Sequence, residues 1–130
     1  MIRIIKVSND KKRFLPLLLL NGHQEADIDQ YLEDSEMFIL LNEGKLRTIA
    51  VVSKEPKRVF EIKNLATEPA YQRQGFGRQM MNHLLAYYHG KGRLLLACVA
   101  ADSIGAQFYA ACGLMLGKTN GDMVYMMREL

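Results

Sequence analysis

The stretch EPAYQRQGFGRQMMNHLLAYY, residues 68–88, decides how this chain folds. It begins as a polar turn, and two glycines, Gly75 and Gly77, stand where the turn meets a helical pattern. From Phe76 onward the apolar side chains recur every three or four residues, which predicts a helix with one buried face. Glycine is a poor helix former, so two of them at the start of a helix require a physical reason.

An anion site at the start of the helix would provide that reason. A turn that leads directly into a helix leaves several backbone N–H groups unpaired, with the positive end of the helix dipole behind them. Without side chains, Gly75 and Gly77 let a phosphate approach those N–H groups, and Arg73 and Arg78 add positive charge around it. The alternative interpretation is that the glycines only shape a tight turn packed against the sheet.

Hydrophobic periodicity on either side of this stretch predicts strands and helices over the whole chain. In chain order, the predicted elements are a strand at 1–7, helical segments at 11–22 and 25–34, a hairpin at 36–54, a strand at 58–67, the helix from Phe76 that ends at Gly90 and Gly92, a strand at 93–100, a helix at 102–112 and a hairpin at 114–130. The order β α α β β β α β α β β indicates a mixed sheet with helices on its faces.

Local patterns add finer predictions. Strand 58–67 alternates, which predicts one face with Phe60, Ile62, Asn64 and Ala66 and an opposite face with Glu61, Lys63, Leu65 and Thr67. Strand 93–100 is almost continuously apolar, as expected for a strand covered on both faces. Asp102 is the expected N-cap of the next helix, and tight hairpin turns are expected at Gly44 and at Asn120-Gly121.

Length and composition restrict the class of protein. With 130 residues, 49% of them hydrophobic and 24% charged, the chain is expected to form a single domain over residues 1–130. No signal-peptide pattern or bilayer-length apolar run is present, which predicts a cytoplasmic protein without a membrane partner. The net charge of +3 is small and the basic residues are scattered, so nucleic acid is not an expected partner. Cys98 and Cys112 lack metal-ligand spacing, which favours reduced thiols and no metal.

The motif QRQGFG, residues 72–77, narrows the choice of phosphate ligand. It lacks the Lys-Ser/Thr pair of a P-loop and the spacing of a dinucleotide fingerprint. It resembles the Q/R-x-x-G-x-G/A turn of the GNAT superfamily of acyl-CoA N-acyltransferases. DSIGAQFYAACGL, residues 102–114, is similar to that family's N-x-x-A-x-x-x-Y-x-x-x-G-F segment, with Asp102 at the Asn position and Leu114 at the Phe position. The predicted order of strands and helices resembles the family's over essentially the whole chain.

The resemblance implies a fold and a cosubstrate. The fold is a single-domain GNAT-like α/β (α+β) arrangement, a mixed, mostly antiparallel sheet with helices on both faces. Acetyl-CoA is the expected cosubstrate, with its pyrophosphate on the turn and its pantetheine arm in a gap where strands 58–67 and 93–100 splay apart. The residues expected to contact it are Leu65, Ala66, Thr67, Gln72, Arg73, Gln74, Gly75, Phe76, Gly77, Arg78, Asp102 and Tyr109.

The resemblance also implies three catalytic roles. The N–H of Leu65 is expected to face the thioester carbonyl, Tyr109 to protonate the leaving thiolate, and Glu61 to deprotonate the amine directly or through water. For Tyr109 the alternative is an aromatic ring packed on the sheet. For Glu61 the alternative is a strand carboxylate paired with Lys63 or Arg58.

The expected function is therefore transfer of an acetyl group from acetyl-CoA to a primary amine of a small molecule or peptide. The alternative is an acyl-CoA-binding regulatory module on the same fold, without turnover. The acidic run 25–34 either attracts a cationic amine or forms a solvated helix face. His23, His83 and His89 are expected in surface or packing roles. The identity of the amine and the formation of a homodimer stay open.

Overall fold

In the computed structural model, which describes residues 1–130, the chain forms a seven-stranded sheet and four α-helices. The strands are β1 (Ile2–Val7), β2 (Glu36–Asn42), β3 (Lys45–Glu55), β4 (Val59–Thr67), β5 (Leu94–Ala100), β6 (Met115–Asn120) and β7 (Met123–Glu129). The helices are α1 (Leu15–Leu18), α2 (Glu25–Tyr31), α3 (Phe76–Tyr88) and α4 (Ile104–Ala111). Short 3-10 turns lie at Lys11–Phe14, Pro56–Arg58 and Pro69–Tyr71. The predicted order of strands and helices is confirmed.

The sheet is antiparallel except at its centre. Its strand order is β1-β2-β3-β4-β5-β7-β6, and only β4 and β5 run parallel. Their ladder extends from the pair Val59 and Leu94 to the pair Ile62 and Ala97 and then ends, although both strands continue. The two strands therefore separate beyond Ile62 and Ala97. The predicted mixed, mostly antiparallel sheet is confirmed.

Two apolar cores hold helices on opposite faces of the sheet. Neighbouring residues of β3 alternate between them, because Val52 packs in the core with α3 and α4, and Val51 packs in the core with α1 and α2. The completely buried side chains on α3 are Met80, Met81, Leu84 and Tyr88, the stripe that the helical spacing predicts. Each side chain of this size stabilises the fold by about 1.5–3 kcal/mol when buried. The longest helix, α3, has 13 residues, and none of the helices has the length and apolar character to cross a membrane.

Strand β4 contains a β-bulge. In its ladder with β3, Val51 pairs with Asn64 and the next residue, Val52, pairs with Ile62, so Lys63 is an extra residue on β4. An inserted residue moves all the following side chains to the other face of the sheet. Bulges are common beside functional sites because they redirect side chains.

The bulge corrects the predicted faces of this strand. Ile62 packs in the α3/α4 core, but Ala66 packs in the α1/α2 core. Leu65 packs on the α3/α4 core, whereas Glu61, which pairs with Ser53, lies on the opposite face. The prediction is therefore wrong that Phe60, Ile62, Asn64 and Ala66 share one face and that Glu61, Lys63, Leu65 and Thr67 share the other. Simple alternation cannot anticipate an inserted residue.

Strand β5 is covered on one face only. Leu95 and Ala97 are buried in the α3/α4 core, while Leu94 and Leu96 on the opposite face are half-buried. The core formed by α1 and α2 contains no residue of β5, so these helices leave that face of β5 partly open. The prediction of a strand covered on both faces is wrong for this reason.

The two hairpin turns are close to their predicted places. Gly44 has a φ of 73° in the turn between β2 and β3, and Glu43 before it also has a positive φ, as the predicted tight turn requires. In the closing hairpin Asn120 still pairs with Met123, so the turn consists of residues 121–122 and lies one residue later than predicted.

The N-cap of α4 is Ser103 and not Asp102. The Ser103 Oγ accepts a hydrogen bond from the Ala106 N–H at 3.1 Å. Asp102 instead adopts a left-handed conformation with a φ of 57°, and its side chain makes no capping hydrogen bond.

Replacing Ser103 by alanine should lower the free energy of unfolding by about 1 kcal/mol, because the Ala106 N–H loses its capping acceptor. Asp102→Gly is the matched control, since glycine suits a left-handed residue, and it should leave stability unchanged or raise it. Denaturant unfolding of the three proteins measures both effects. Equal losses at the two positions would contradict the assignment of the cap to Ser103.

Candidate functional site

The separation of β4 from β5 opens the main cleft of the protein, which has a volume of about 890 Å³. The turn before α3, helix α4 and the loop after α1 complete its walls. The predicted site residues that line it are Leu65, Ala66, Thr67, Gln72, Arg73, Gly75, Phe76, Gly77, Arg78 and Tyr109. Three other predicted site residues do not line it, namely Glu61, Gln74 and Asp102.

Gly75 shapes the turn at one end of the cleft. It is the N-cap of α3 and has a φ of 86°, a left-handed conformation in which other residues are strained. Arg73, two residues earlier, is also left-handed with a φ of 64°. No side chain caps the first turn of α3, so its N–H groups are free to donate to a ligand. A free helix start beside a cleft has the geometry of an anion site.

Gly77 serves a different purpose, which is packing. A Cβ built at Gly77 would lie 3.4 Å from two ring carbons of Phe108 in α4 and 3.7 Å from Thr67 Oγ1. Helix α3 therefore approaches α4 closely at this residue. A methyl group fits within ordinary contact distances, but a larger side chain would push the Phe108 ring aside.

Positive charge predominates along the cleft. The charged side chains that line it are those of Lys63, Arg73 and Arg78, and no aspartate or glutamate lines it. Arg78 Nη2 donates to the Ala111 carbonyl oxygen at 3.0 Å, which ties the guanidinium to the end of α4. An anionic ligand is favoured in such a cleft.

The edge of β4 presents backbone groups to the cleft. The Leu65 carbonyl oxygen accepts from Asn21 Nδ2 at 2.6 Å, and the Thr67 carbonyl oxygen accepts from Gln72 Nε2 at 3.1 Å. Both carbonyls therefore face away from β3. In an antiparallel ladder the N–H and C=O of one residue point to the same side, so the N–H groups of Leu65 and Thr67 also face the gap.

Tyr109 projects from α4 into the wall of the cleft. Its side chain is buried, and its hydroxyl makes no hydrogen bond within the chain. Burial raises the pKa of the Tyr109 phenol well above its ordinary value, and the neighbouring Cys112 thiol raises it further. The phenol therefore keeps its proton at neutral pH.

Glu61 lies apart from the other predicted catalytic residues. Its Oε2 is 3.3 Å from Lys63 Nζ, which is the ion pair that the alternative interpretation predicts. Lys63 and Cys98 both line the cleft beside it: burial raises the pKa of the Cys98 thiol, and the Glu61 carboxylate raises it further. The predicted common face of Glu61 and Leu65 is wrong, because the bulge at Lys63 turns them to opposite faces.

The sequence analysis missed a hydrogen-bonded group on the other side of the cleft. His23 and Asn64 line the cleft. The Tyr31 hydroxyl oxygen lies 3.1 Å from His23 Nδ1 and 3.3 Å from Asn64 Nδ2. Asn64 Nδ2 also donates to the Leu18 carbonyl oxygen at 2.8 Å. Burial lowers the pKa of His23, so its imidazole is neutral at pH 7. His23 was expected in a surface or packing role, and only the tertiary fold brings it to the cleft.

Other predicted candidates lie outside the cleft. In the acidic run, Glu25 and Asp29 pair with Lys12 at 2.6 Å and 3.0 Å, and no residue of the run lines the cleft. The solvated-face interpretation of the run is therefore correct. His83 packs against the Phe38 and Tyr87 rings, as expected. No group of three or more His, Cys, Asp or Glu side chains could hold a metal ion.

The geometry defines a class of protein. The cleft lies where two parallel strands separate, above a glycine turn and a free helix start. This is the arrangement that the resemblance to acyl-CoA N-acyltransferases implies. Residues 7–114 match the family model described as Acetyltransferase (GNAT) family. The chain belongs to this family.

Solved structures share the fold over the whole chain. A GNAT family acetyltransferase from Elizabethkingia anophelis, with acetyl-CoA bound, superposes with a TM-score of 0.89 over 99% of this chain and 98% of its own, at 23% identity. A Bacillus subtilis acetyltransferase in complex with CoA gives a TM-score of 0.86 over 100% and 99% of the two chains, at 22% identity. At these identities the likeness establishes the fold.

A curated relative matches part of the sequence. The Uncharacterized N-acetyltransferase YvbK of Bacillus subtilis (strain 168) is 32% identical over 65 residues. The matched stretch spans 50% of this chain and 42% of the relative, less than half of that protein's length.

Proposed function

We propose that this chain is an N-acetyltransferase that transfers an acetyl group from acetyl-CoA to a primary amine of a small molecule or peptide by direct attack. The observation that carries the proposal is the separation of β4 from β5 above the turn at Gly75. It places a free helix start, a strand edge with unpaired N–H groups and the Tyr109 hydroxyl along one cleft. Family membership supports the same chemistry.

The residues of the cleft fit coenzyme A. The free N–H groups around Gly75, with Arg73 and Arg78, suit a pyrophosphate. The Thr67 N–H suits an amide of the pantetheine arm, which would lie along β4 as a further strand. Ala66, Gln72, Phe76 and Gly77 complete the wall on this side. Gln74 and Asp102 do not line the cleft, so we leave them out of the proposed contacts.

Leu65 would stabilise the developing charge. Acetyl-CoA supplies the acetyl group as an activated thioester, and the Leu65 N–H would donate to its carbonyl oxygen as negative charge develops there. A donor aimed in this way is worth on the order of 3 kcal/mol in other acyl-transfer enzymes. The walls of the cleft would lower the barrier further by holding the amine against the thioester.

Tyr109 would protonate the leaving thiolate. The raised pKa of its buried phenol keeps the hydroxyl protonated, and the hydroxyl has no partner within the chain to compete for that proton. The proton would pass from Tyr109 Oη to the sulfur as the carbon–sulfur bond breaks.

Glu61 would act on the amine through water. An amine is mostly protonated at pH 7, so attack requires a base. The bulge keeps the Glu61 carboxylate out of the cleft wall, so a direct contact with the amine is not proposed. A water between the carboxylate and the cleft would carry the proton.

No specific observation favours the regulatory-module alternative. A module without turnover would need neither a free Tyr109 hydroxyl nor a base. A cytoplasmic location, the absence of nucleic-acid and membrane partners, and a homodimer stay predictions from the sequence. A screen of amines for acetyl-CoA-dependent thiol release tests the proposed function.

Gly75→Val should abolish coenzyme A binding in a folded domain. Valine is strained at a φ of 86°, and its side chain would block the approach to the free N–H groups. Gly77→Ala is the control, because its methyl group fits beside Phe108, and its affinity should change little. Calorimetry measures binding, and circular dichroism checks folding. Unchanged affinity in a folded Gly75→Val protein would exclude the turn as the pyrophosphate site.

Tyr109→Phe should lower kcat by roughly 10²-fold or more while acetyl-CoA binding barely changes, because the substitution keeps the ring and removes only the proton donor. Tyr87→Phe, on α3 outside the cleft, is the matched control and should keep full activity. Steady-state kinetics and calorimetry separate the two parameters. Lost affinity with a preserved kcat would make Tyr109 a packing residue.

Glu61→Gln should reduce kcat/KM most at neutral pH, since the glutamine cannot accept a proton. Activity should recover partly as the pH rises, because more of the amine then arrives deprotonated. Glu55→Gln, at the end of β3, is the control for a lost carboxylate. A pH series on the three proteins measures the effect, and parallel profiles for Glu61→Gln and the parent would remove Glu61 from the site.

A further inference from the structure

The cations that line the cleft occupy two separate places. Arg73 lies in the turn before α3 and Arg78 in the first turn of α3, whereas Lys63 lies on β4, four residues before Thr67 at the end of that strand. The turn has its own two arginines for a pyrophosphate. Lys63 is therefore a third cation, which the proposed pyrophosphate contacts leave available.

Lys63 has hydrogen-bond donors available for a ligand. The bulge makes it the inserted residue of β4, and it lines both the cleft and an adjoining pocket of about 340 Å³. Its ammonium carries three N–H donors, and Glu61 at 3.3 Å is its one carboxylate partner. The side chain is 29% exposed, so a ligand can reach the remaining donors.

His23 adds a second donor. Asn64 Nδ2 donates to the Tyr31 hydroxyl oxygen, so the single Tyr31 proton is free to be donated to His23 Nδ1. When Tyr31 donates to His23 Nδ1, the proton of the neutral imidazole lies on Nε2. The Nε2–H makes no hydrogen bond within the chain, and the ring lines the cleft. This part of the cleft thus combines two outward donors, Lys63 Nζ and His23 Nε2–H.

We propose that the acceptor is a small amino acid, an amine with a carboxylate close to its amino group. Lys63 Nζ and His23 Nε2–H hold the carboxylate. The proposal rests on the proposed acetyltransferase function and names its substrate class.

The same charges disfavour polycationic amines. A polyamine or an aminoglycoside would bring further ammonium groups into a cleft that has three cationic side chains and no carboxylate on its walls. Asp34 and Glu55 line only the adjoining pocket, and Glu55 already accepts from Ser53 Oγ at 2.7 Å. With the two arginines engaged by the pyrophosphate, Lys63 is the cation that a polycationic acceptor would meet, and its partner Glu61 lies outside the cleft wall.

The test compares matched acceptors on matched variants. Each amino acid in a panel is assayed beside its carboxamide and its decarboxylated amine, with spermidine as the polycation. Lys63→Met and His23→Phe keep the shape of the side chain and remove the donor. Lys54→Met, which removes a lysine that lines only the adjoining pocket, is the control. Values of kcat and KM are measured separately.

The parent protein should acetylate amino acids with a kcat/KM at least about tenfold above that for their carboxamides, as expected for a hydrogen-bonded charge. Lys63→Met and His23→Phe should each raise KM for the amino acids by about tenfold and leave KM for the carboxamides unchanged. The control, Lys54→Met, should leave both KM values unchanged. Acetylation of spermidine or of carboxamides in preference to amino acids would overturn this inference while upholding the proposed function. Equal KM effects on both kinds of acceptor would overturn it as well. No acetylation of any amine would overturn both.

Discussion

The parting of β4 from β5 after Ile62 and Ala97 is the constraint on which the rest of the site depends. Upstream of this point the two strands share a parallel ladder, and downstream β4 keeps only its pairing with β3. The N–H groups of Leu65 and Thr67 are then left at an edge inside the protein. An edge of this kind must be covered or must bind something, because unpaired backbone groups are costly away from water. A ligand with amides of its own would satisfy them.

The bulge at Lys63 sets the chemistry on the two sides of that edge. Before the bulge Glu61 faces the side of α1 and α2, and after it Leu65 faces the side of α3 and α4, where Tyr109 lies. The proposed base, Glu61, therefore lies on the opposite face of the sheet from the proposed proton donor, Tyr109. Lys63, the inserted residue, lines the cleft together with His23. One inserted residue thus separates the groups that would act on the thioester from those that would recognise the acceptor.

The sequence predicts most of the fold and only part of the site. The glycine turn, the stripe on α3 and the order of elements follow from local periodicity and turn chemistry, which act within a few residues. The bulge could not be predicted, because alternation over 58–67 is the same with or without an inserted residue in the ladder. Asp102 and Ser103 are adjacent, and both are residue types that cap helices. Ser103 is the cap because Asp102 adopts a left-handed φ, which the sequence does not reveal. Asn21 and His23 reach the cleft on the loop after α1, and Tyr31 on α2 hydrogen-bonds to His23 and Asn64. Tertiary packing alone brings these residues together, so no local signal identifies them.

The central claim is that one cleft joins an anion site at the start of α3 to an amide donor on β4. Backbone amide NMR shifts, recorded during titration with coenzyme A and then with acetyl-CoA, test it most directly. Both ligands should shift the amides of residues 73–78. Only acetyl-CoA has the thioester carbonyl, so it alone should add a further shift at the Leu65 N–H. Shifts confined to residues outside the cleft, or a Leu65 amide that responds equally to both ligands, would contradict the account.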